Sequence, residues 1–117
     1  MEVSQLRSES IFVSGKEQRY EKVFFQDILY FQAEGSWADL ITSRRGKRYR
    51  ISTNLGNVES QLDTAVFVRV SRKHIVNIHH VTAVQGNIVF IDDHEILIGR
   101  LYKDGLITRL PILRTKN

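Results

Sequence analysis

The chain contains no cysteine and only one proline. The first absence rules out a disulfide framework, thiolate zinc ligation and a cysteine nucleophile together. No apolar run approaches the roughly 20 residues that a membrane helix needs. The opening Met1-Glu2-Val3-Ser4-Gln5 lacks both the basic and the greasy segment of a secretory leader. A cytoplasmic protein with no membrane partner is therefore expected. The chemistry-bearing motifs are missing as well. There is no glycine-rich phosphate loop, no G-x-S-x-G and no paired-carboxylate site. His79, His80, Asp92, Asp93 and His94 match no metal-ligand spacing, and Asp-Asp-His between apolar runs has the composition of a turn. The expectation is a protein that is not an enzyme and has no metal, no cofactor and no small-molecule substrate.

What is present is the composition of one ordinary globular domain. The 117 residues are 42% apolar and 26% charged, enough for a single core and too few for two. The net charge of +4 is unevenly spread: residues 1–39 carry −3, residues 40–74 carry +6 and residues 75–117 carry +1. A basic middle beside an acidic start suits a polyanionic partner. Basic residues on strand edges also serve solubility and block edge-to-edge pairing, so charge leaves both readings open.

Short apolar runs separated by turn residues indicate strands over 11–13, 20–25, 27–31, 38–42, 47–51, 67–70, 75–78, 81–84, 88–91 and 96–98. Arg44-Arg45-Gly46 and Gln85-Gly86-Asn87 have the composition of hairpin turns. One segment changes period. Asn54 offers an N-cap, and Leu55, Val58 and Leu62 fall at helical spacing, which predicts a helix over 55–62 weakened by Gly56. A second short helix is expected over 100–110, with Leu101, Leu106 or Ile107, and Leu110 inward, Gly105 interrupting it and Pro111 ending it. The fold class is mainly β, an array of small, mostly antiparallel sheets with about ten short strands and one or two short helices. No βαβ alternation points to a doubly wound nucleotide-binding sheet. Residues 1–9 are expected to be a flexible extension, 10–111 the domain and 112–117 a flexible tail.

Three segments in order resemble the LytTR DNA-binding domain of bacterial transcription regulators. Asp27-Ile28-Leu29-Tyr30-Phe31-Gln32-Ala33-Glu34-Gly35-Ser36-Trp37 is similar to the family's D-I-x-Y-I-E-x-x-G-x-Y strand and loop. Phe67-Val68-Arg69-Val70-Ser71-Arg72-Lys73-His74-Ile75-Val76-Asn77, after the helical segment, is similar to F-x-R-h-H-R-S-x-h-V-N. Ile98-Gly99-Arg100-Leu101-Tyr102 resembles the closing h-S-R-x-Y. Two positions depart from the pattern: Gly99 stands where the family usually has serine, and Ser71 where it often has histidine. The resemblance implies an elongated stack of small sheets whose loops enter successive major grooves of double-stranded DNA, unlike the recognition helix of helix-turn-helix proteins. It implies transcription regulation at promoters by an output domain of a response-regulator type of protein or by a stand-alone regulator, with a homodimer on repeated half-sites as a candidate arrangement.

Site residues follow from this. Arg72 and Arg100 are candidates for base readout, since a guanidinium on a rigid turn can grip guanine O6 and N7. The alternatives are a solvated turn for Arg72 and an arginine lying over a sheet edge for Arg100. Trp37 and Ser36, in the loop after the third strand, are further base-contact candidates, against the equal reading that Trp37 points inward. Lys73, His74, Arg69, Lys103 and Asn87 are candidate phosphate contacts. Arg69 has the alternative of pairing with Glu59 or Asp63, and Asn77 reads as structural. The densest basic run, Arg44 to Arg50, lies away from the contacts implied by the resemblance and is a candidate steering or flanking-phosphate element. Two other functions remain open: a β-rich protein-interaction module with a basic face, and a single-strand or RNA-binding module. The latter needs aromatics exposed on one sheet face, whereas Tyr30, Phe31, Phe67 and Phe90 have the pattern of core.

Overall fold

The computed structural model describes residues 9–43 and 47–115. The expected Arg44-Arg45-Gly46 turn, residues 1–8 of the expected extension and residues 116–117 of the expected tail lie outside them. Among the described residues the chain forms ten strands in three antiparallel sheets, with two short helices. β1 (Ser10–Ser14) and β2 (Tyr20–Phe24) make a hairpin. β3 (Ile28–Glu34), β4 (Trp37–Thr42), β5 (Arg48–Ile51), β6 (Phe67–Arg69) and β7 (His74–Asn77) make a five-stranded central sheet in the order β5-β4-β3-β7-β6. β8 (Val81–Gln85), β9 (Ile88–Ile91) and β10 (His94–Leu97) form a meander. Helix α1 spans Leu55–Glu59 and α2 spans Lys103–Arg109.

The alternation of side chains along the central strands assigns each residue to one of two cores. Phe31, Ala38, Leu40, Phe67 and Ile75 face Val13 and Val23 of the hairpin and Leu55 and Val58 of α1. Tyr30, Ile41, Val68 and Val76 face Val89, Ile91 and Ile96 of the meander and Leu106 of α2. The central sheet is thus covered on both faces. That explains why β3 opens on the unbroken apolar run Ile28-Leu29-Tyr30-Phe31, the pattern of a doubly buried strand. Each fully buried side chain of this size contributes about 1.5–3 kcal/mol by leaving water. Stacking three sheets gives an elongated body of 57 × 38 × 26 Å. Its radius of gyration is 14.8 Å, against about 13 Å for a compact chain of this length.

Asn77 fastens the end of β7 to the segment that enters β3. Its amide is buried, donating from Nδ2 to the carbonyls of Phe25 and Ile28, both at 2.9 Å, while Oδ1 accepts from the His79 amide at 2.9 Å.

The helices differ in detail from expectation. Asn54 does cap α1, accepting from the Asn57 amide at 2.8 Å. The helix stops at Glu59, and after Ser60 the amides of Gln61 and Leu62 bond three residues back, a tighter turn that still leaves Leu62 half-buried. The last helix begins as a 3₁₀ turn, Arg100–Tyr102, and Gly105 does not interrupt it. Leu106 is buried, but Leu101, expected inward, is 90% exposed. Five residues of helix turn through about 500°, so the two side chains point in widely different directions. Phe90 is half-buried where a core position was expected, while Tyr30, Phe31 and Phe67 are buried. No described helix is long and apolar enough to cross a membrane.

Candidate nucleic-acid interface

Strand pairing brings four turns into one row at an end of the central sheet. The first joins β3 to β4 through Gly35, whose φ of +60° is left-handed and natural only for a residue without a side chain. It presents Ser36 and the exposed edge of Trp37. The second, residues 70–73, precedes β7. Because His74 pairs with Gln32, this turn lies against the end of β3, and the Ala33 amide donates to the Lys73 carbonyl at 2.8 Å. The third, residues 98–102, is fastened to the second by the Gly99 amide, which donates to the Val70 carbonyl at 2.7 Å. The fourth, Gln85-Gly86-Asn87, is joined to the third: the Ile98 amide donates to the Asn87 carbonyl at 2.7 Å, and Lys103 Nζ donates to the Gly86 carbonyl.

Gly99 explains one of the two departures noted above. A Cβ there would stand 3.0 Å from the Tyr102 ring and 3.6 Å from the Ser71 Cα. The missing side chain lets the third turn close on the second, and a serine would press on Tyr102. Ser71 accounts for the other departure locally. Its Oγ accepts from the Lys73 amide at 3.1 Å and contacts His74 Nδ1 at 3.2 Å, closing the turn from within.

The row sorts the candidate residues into two groups. Ser36, Arg72, Lys73 and Arg100 are exposed, and no side-chain hydrogen bond or ion pair to another described residue holds Arg72, Lys73 or Arg100. Trp37 is 40% exposed with the Arg50 guanidinium 4.5 Å over its ring, so it does not point into either core. Asn87 is exposed at its hairpin tip.

The others are engaged within the fold. Arg69 donates from Nε to the Ser71 carbonyl at 2.7 Å, from Nη2 to the Arg72 carbonyl at 2.9 Å and from Nη1 to Glu59 Oε1 at 2.6 Å. Of the two roles open to it, the pairing with Glu59 is realised, and its guanidinium braces the turn that carries Arg72. His74 packs against the Tyr30 ring and its Nδ1 lies 3.2 Å from Ser71 Oγ, and burial first, then the Lys73 charge, lowers its pKa. The Lys103 ammonium bridges α2 to the β8–β9 turn.

Sequence reasoning passed over Asp39. Its side chain is buried and bound by both Arg48 and Arg50. The Arg50 hydrogen bond, more than the charges around it, holds the carboxyl below its usual range despite the opposing effect of burial. The signal was Asp39 within the apolar run of β4, facing a strand with arginine at alternate positions.

The model of the LytTr DNA-binding domain matches residues 18–110. Two curated transcriptional regulators from Paraburkholderia xenovorans strain LB400, the heme-containing CO-sensing regulators RcoM 1 and RcoM 2, are each 30% identical over 91 residues, 78% of this chain. The chain spans about a third of their length, 31%. Among solved structures, the LytTr DNA-binding domain of a Bacillus cereus protein described as a methyl-accepting/DNA response regulator superposes with a TM-score of 0.74 at 16% identity. That match covers 90% of this chain and 99% of the other, and at this identity it is a likeness of fold.

Proposed function

The chain belongs to the LytTR DNA-binding domain family, and on that premise we propose that it binds promoter DNA sequence-specifically through the row of turns at the end of its central sheet. Arg72 and Arg100 read base edges from neighbouring turns, with Ser36 and the apolar edge of Trp37 on the adjoining hairpin. Lys73 and Asn87 set the register on phosphates, joined by Lys103, whose ammonium keeps two hydrogens beyond its bond to the Gly86 carbonyl. Arg69 and His74 are assigned a supporting role beneath the second turn. The observation that carries the reading is the backbone bonding of the second turn to the end of β3, Ala33 to Lys73, and to the third turn, Gly99 to Val70, beneath two exposed arginines. Rigid spacing of this kind is what a reader of consecutive base pairs needs, and flexible surface lysines do not supply it. Within a regulator the domain acts as the output module, and two copies occupy repeated half-sites.

The test is selection of duplexes from a random pool, followed by titration of the selected duplex and of a mixed-sequence duplex. Arg72→Ala and Arg100→Ala are expected to cost about 1–3 kcal/mol each on the selected duplex and to relax base preference at one position each. Lys73→Ala should weaken both duplexes alike. Stoichiometry on the selected site tests the two-copy arrangement. If wild-type protein prefers no duplex over mixed sequence at any salt concentration, the reading fails, and a protein-interaction role takes its place.

A further inference from the structure

One face of the central sheet is apolar where the meander covers it and polar where the cover ends. The polar part is a cross-strand row: His74 lies opposite Gln32, Gln32 opposite Asp39, and Asp39 opposite Arg50. Trp37, two residues before Asp39, projects from the same face. Arg50 grips Asp39 as a fork, Nε to Oδ1 at 2.9 Å and Nη2 to Oδ2 at 3.2 Å, and its plane lies 4.5 Å over the indole. Arg48 Nη1 adds a third contact to Oδ2 at 3.2 Å.

This arrangement exceeds what one buried carboxylate needs. A single forked arginine already engages both oxygens, and the second leaves the trio with a net positive charge, while the carboxylate of Glu34, bound to Gln32 of the same row, also acts on Arg50. The Arg50 side chain is still 51% exposed. Its contacts with Asp39 leave both hydrogens of Nη1 and one of Nη2 available. A guanidinium held between a carboxylate and an aromatic ring cannot swing away, so it meets an anion with little entropy left to lose. The ring that holds it belongs to the first turn of the row.

We propose that Arg50 is a further DNA-contacting residue, a phosphate-binding guanidinium for which Asp39 is the positioning residue. The inference rests on the DNA-binding reading above and adds a contact on its flank. It also divides the basic hairpin, since Arg50 receives phosphate through a built site whereas bulk charge would act diffusely.

The experiment measures the salt dependence of binding to the selected and mixed-sequence duplexes. Arg50→Ala should weaken both by about eightfold at 0.1 M salt and reduce the slope of log K against log salt by about 0.9, the value for one phosphate. Arg19→Ala, which removes the same charge at the turn of the first hairpin, should leave the slope unchanged. Arg50→Lys keeps the charge without the fork and should fall between wild type and Arg50→Ala. Asp39→Asn gives the decisive sign. It raises the net charge by one, so diffuse attraction would strengthen binding, whereas lost positioning weakens it. Far-UV circular dichroism confirms that each variant is folded, and emission of Trp37, the only tryptophan, follows the stacked ring. The proposal is overturned if Arg50→Ala and Arg50→Lys bind like wild type with the same slope, or if Asp39→Asn binds more tightly. Wild-type protein that ignores all duplexes at low salt removes the DNA reading itself, a result distinct from either.

Discussion

Replacing Arg69 with alanine separates bracing of the turn from contact with DNA. The guanidinium makes three hydrogen bonds, of which the one to the Ser71 carbonyl is partly buried and those to Glu59 and the Arg72 carbonyl are exposed. A charge-assisted bond out of water is worth about 1.5 kcal/mol at the low end. Each exposed contact adds about 0.5 kcal/mol after solvent screening. The loss is then about 2.5 kcal/mol, or roughly 10 °C in melting temperature for a domain of this size. Urea and thermal unfolding read this directly. In DNA titrations well below the melting temperature, affinity for the selected duplex should fall, because the second turn no longer holds Arg72 in place. The salt slope should stay at the wild-type value, because Arg69 itself meets no phosphate and the Ala33 amide still holds the Lys73 backbone in place. Arg69→Lys should behave like alanine in both assays, since one ammonium cannot span two carbonyls and a carboxylate. A melting temperature within 1–2 °C of wild type together with a slope smaller by about one would refute this account and return Arg69 to the phosphate.

Three further outcomes follow from the same geometry. Asn77→Ala removes the partner of the buried Ile28 carbonyl and of the part-buried Phe25 carbonyl and His79 amide and should cost about 3 kcal/mol in urea unfolding, and a loss below 1 kcal/mol would show that water replaces the amide. Gly105→Ala should stabilise by about 0.5–1 kcal/mol, because the position is helical and a Cβ there meets nothing within 4 Å. The lowered Asp39 pKa means that its contribution is complete above the ordinary carboxylate range near pH 4 and is lost as the pH falls through the lowered value. Acid unfolding curves of wild type and Asp39→Asn should therefore diverge above that range and converge below it, and parallel curves throughout would contradict the pairing.

The strands were legible because each carried its own local signal. A period of two marks Phe67 to Val70, a continuous run marks Ile28 to Phe31, and turns with glycine or paired polar residues separate most of them. The inward direction of Leu101 was misjudged because a separation of five was accepted as helical, although only three, four and seven keep residues on one face. The two cores and the order of the central sheet were not legible. Pairing of β3 with β7 joins residues more than forty positions apart, and nothing local in either strand names its partner. The row of turns depends on that pairing, so the individual site residues could be singled out from the resemblance while their adjacency could not.

The same limit governs the arginines. Arg69 and Arg72 are three residues apart in one basic stretch, yet one is held by carbonyls and the other is open to solvent. Arg69 ends a strand at a position where its neighbours' carbonyls turn back toward it, and Arg72 stands exposed in the turn itself, its side chain bonded to no described residue. Arg48 and Arg50 form part of the densest positive run in the sequence, but register sets them beside Asp39 and removes one charge from the field that a simple count attributes to them. Charge density along a chain measures how strongly a polyanion is attracted. Which guanidinium it meets is decided by the carbonyls and carboxylates already bound to the others, and those are set by strand pairing.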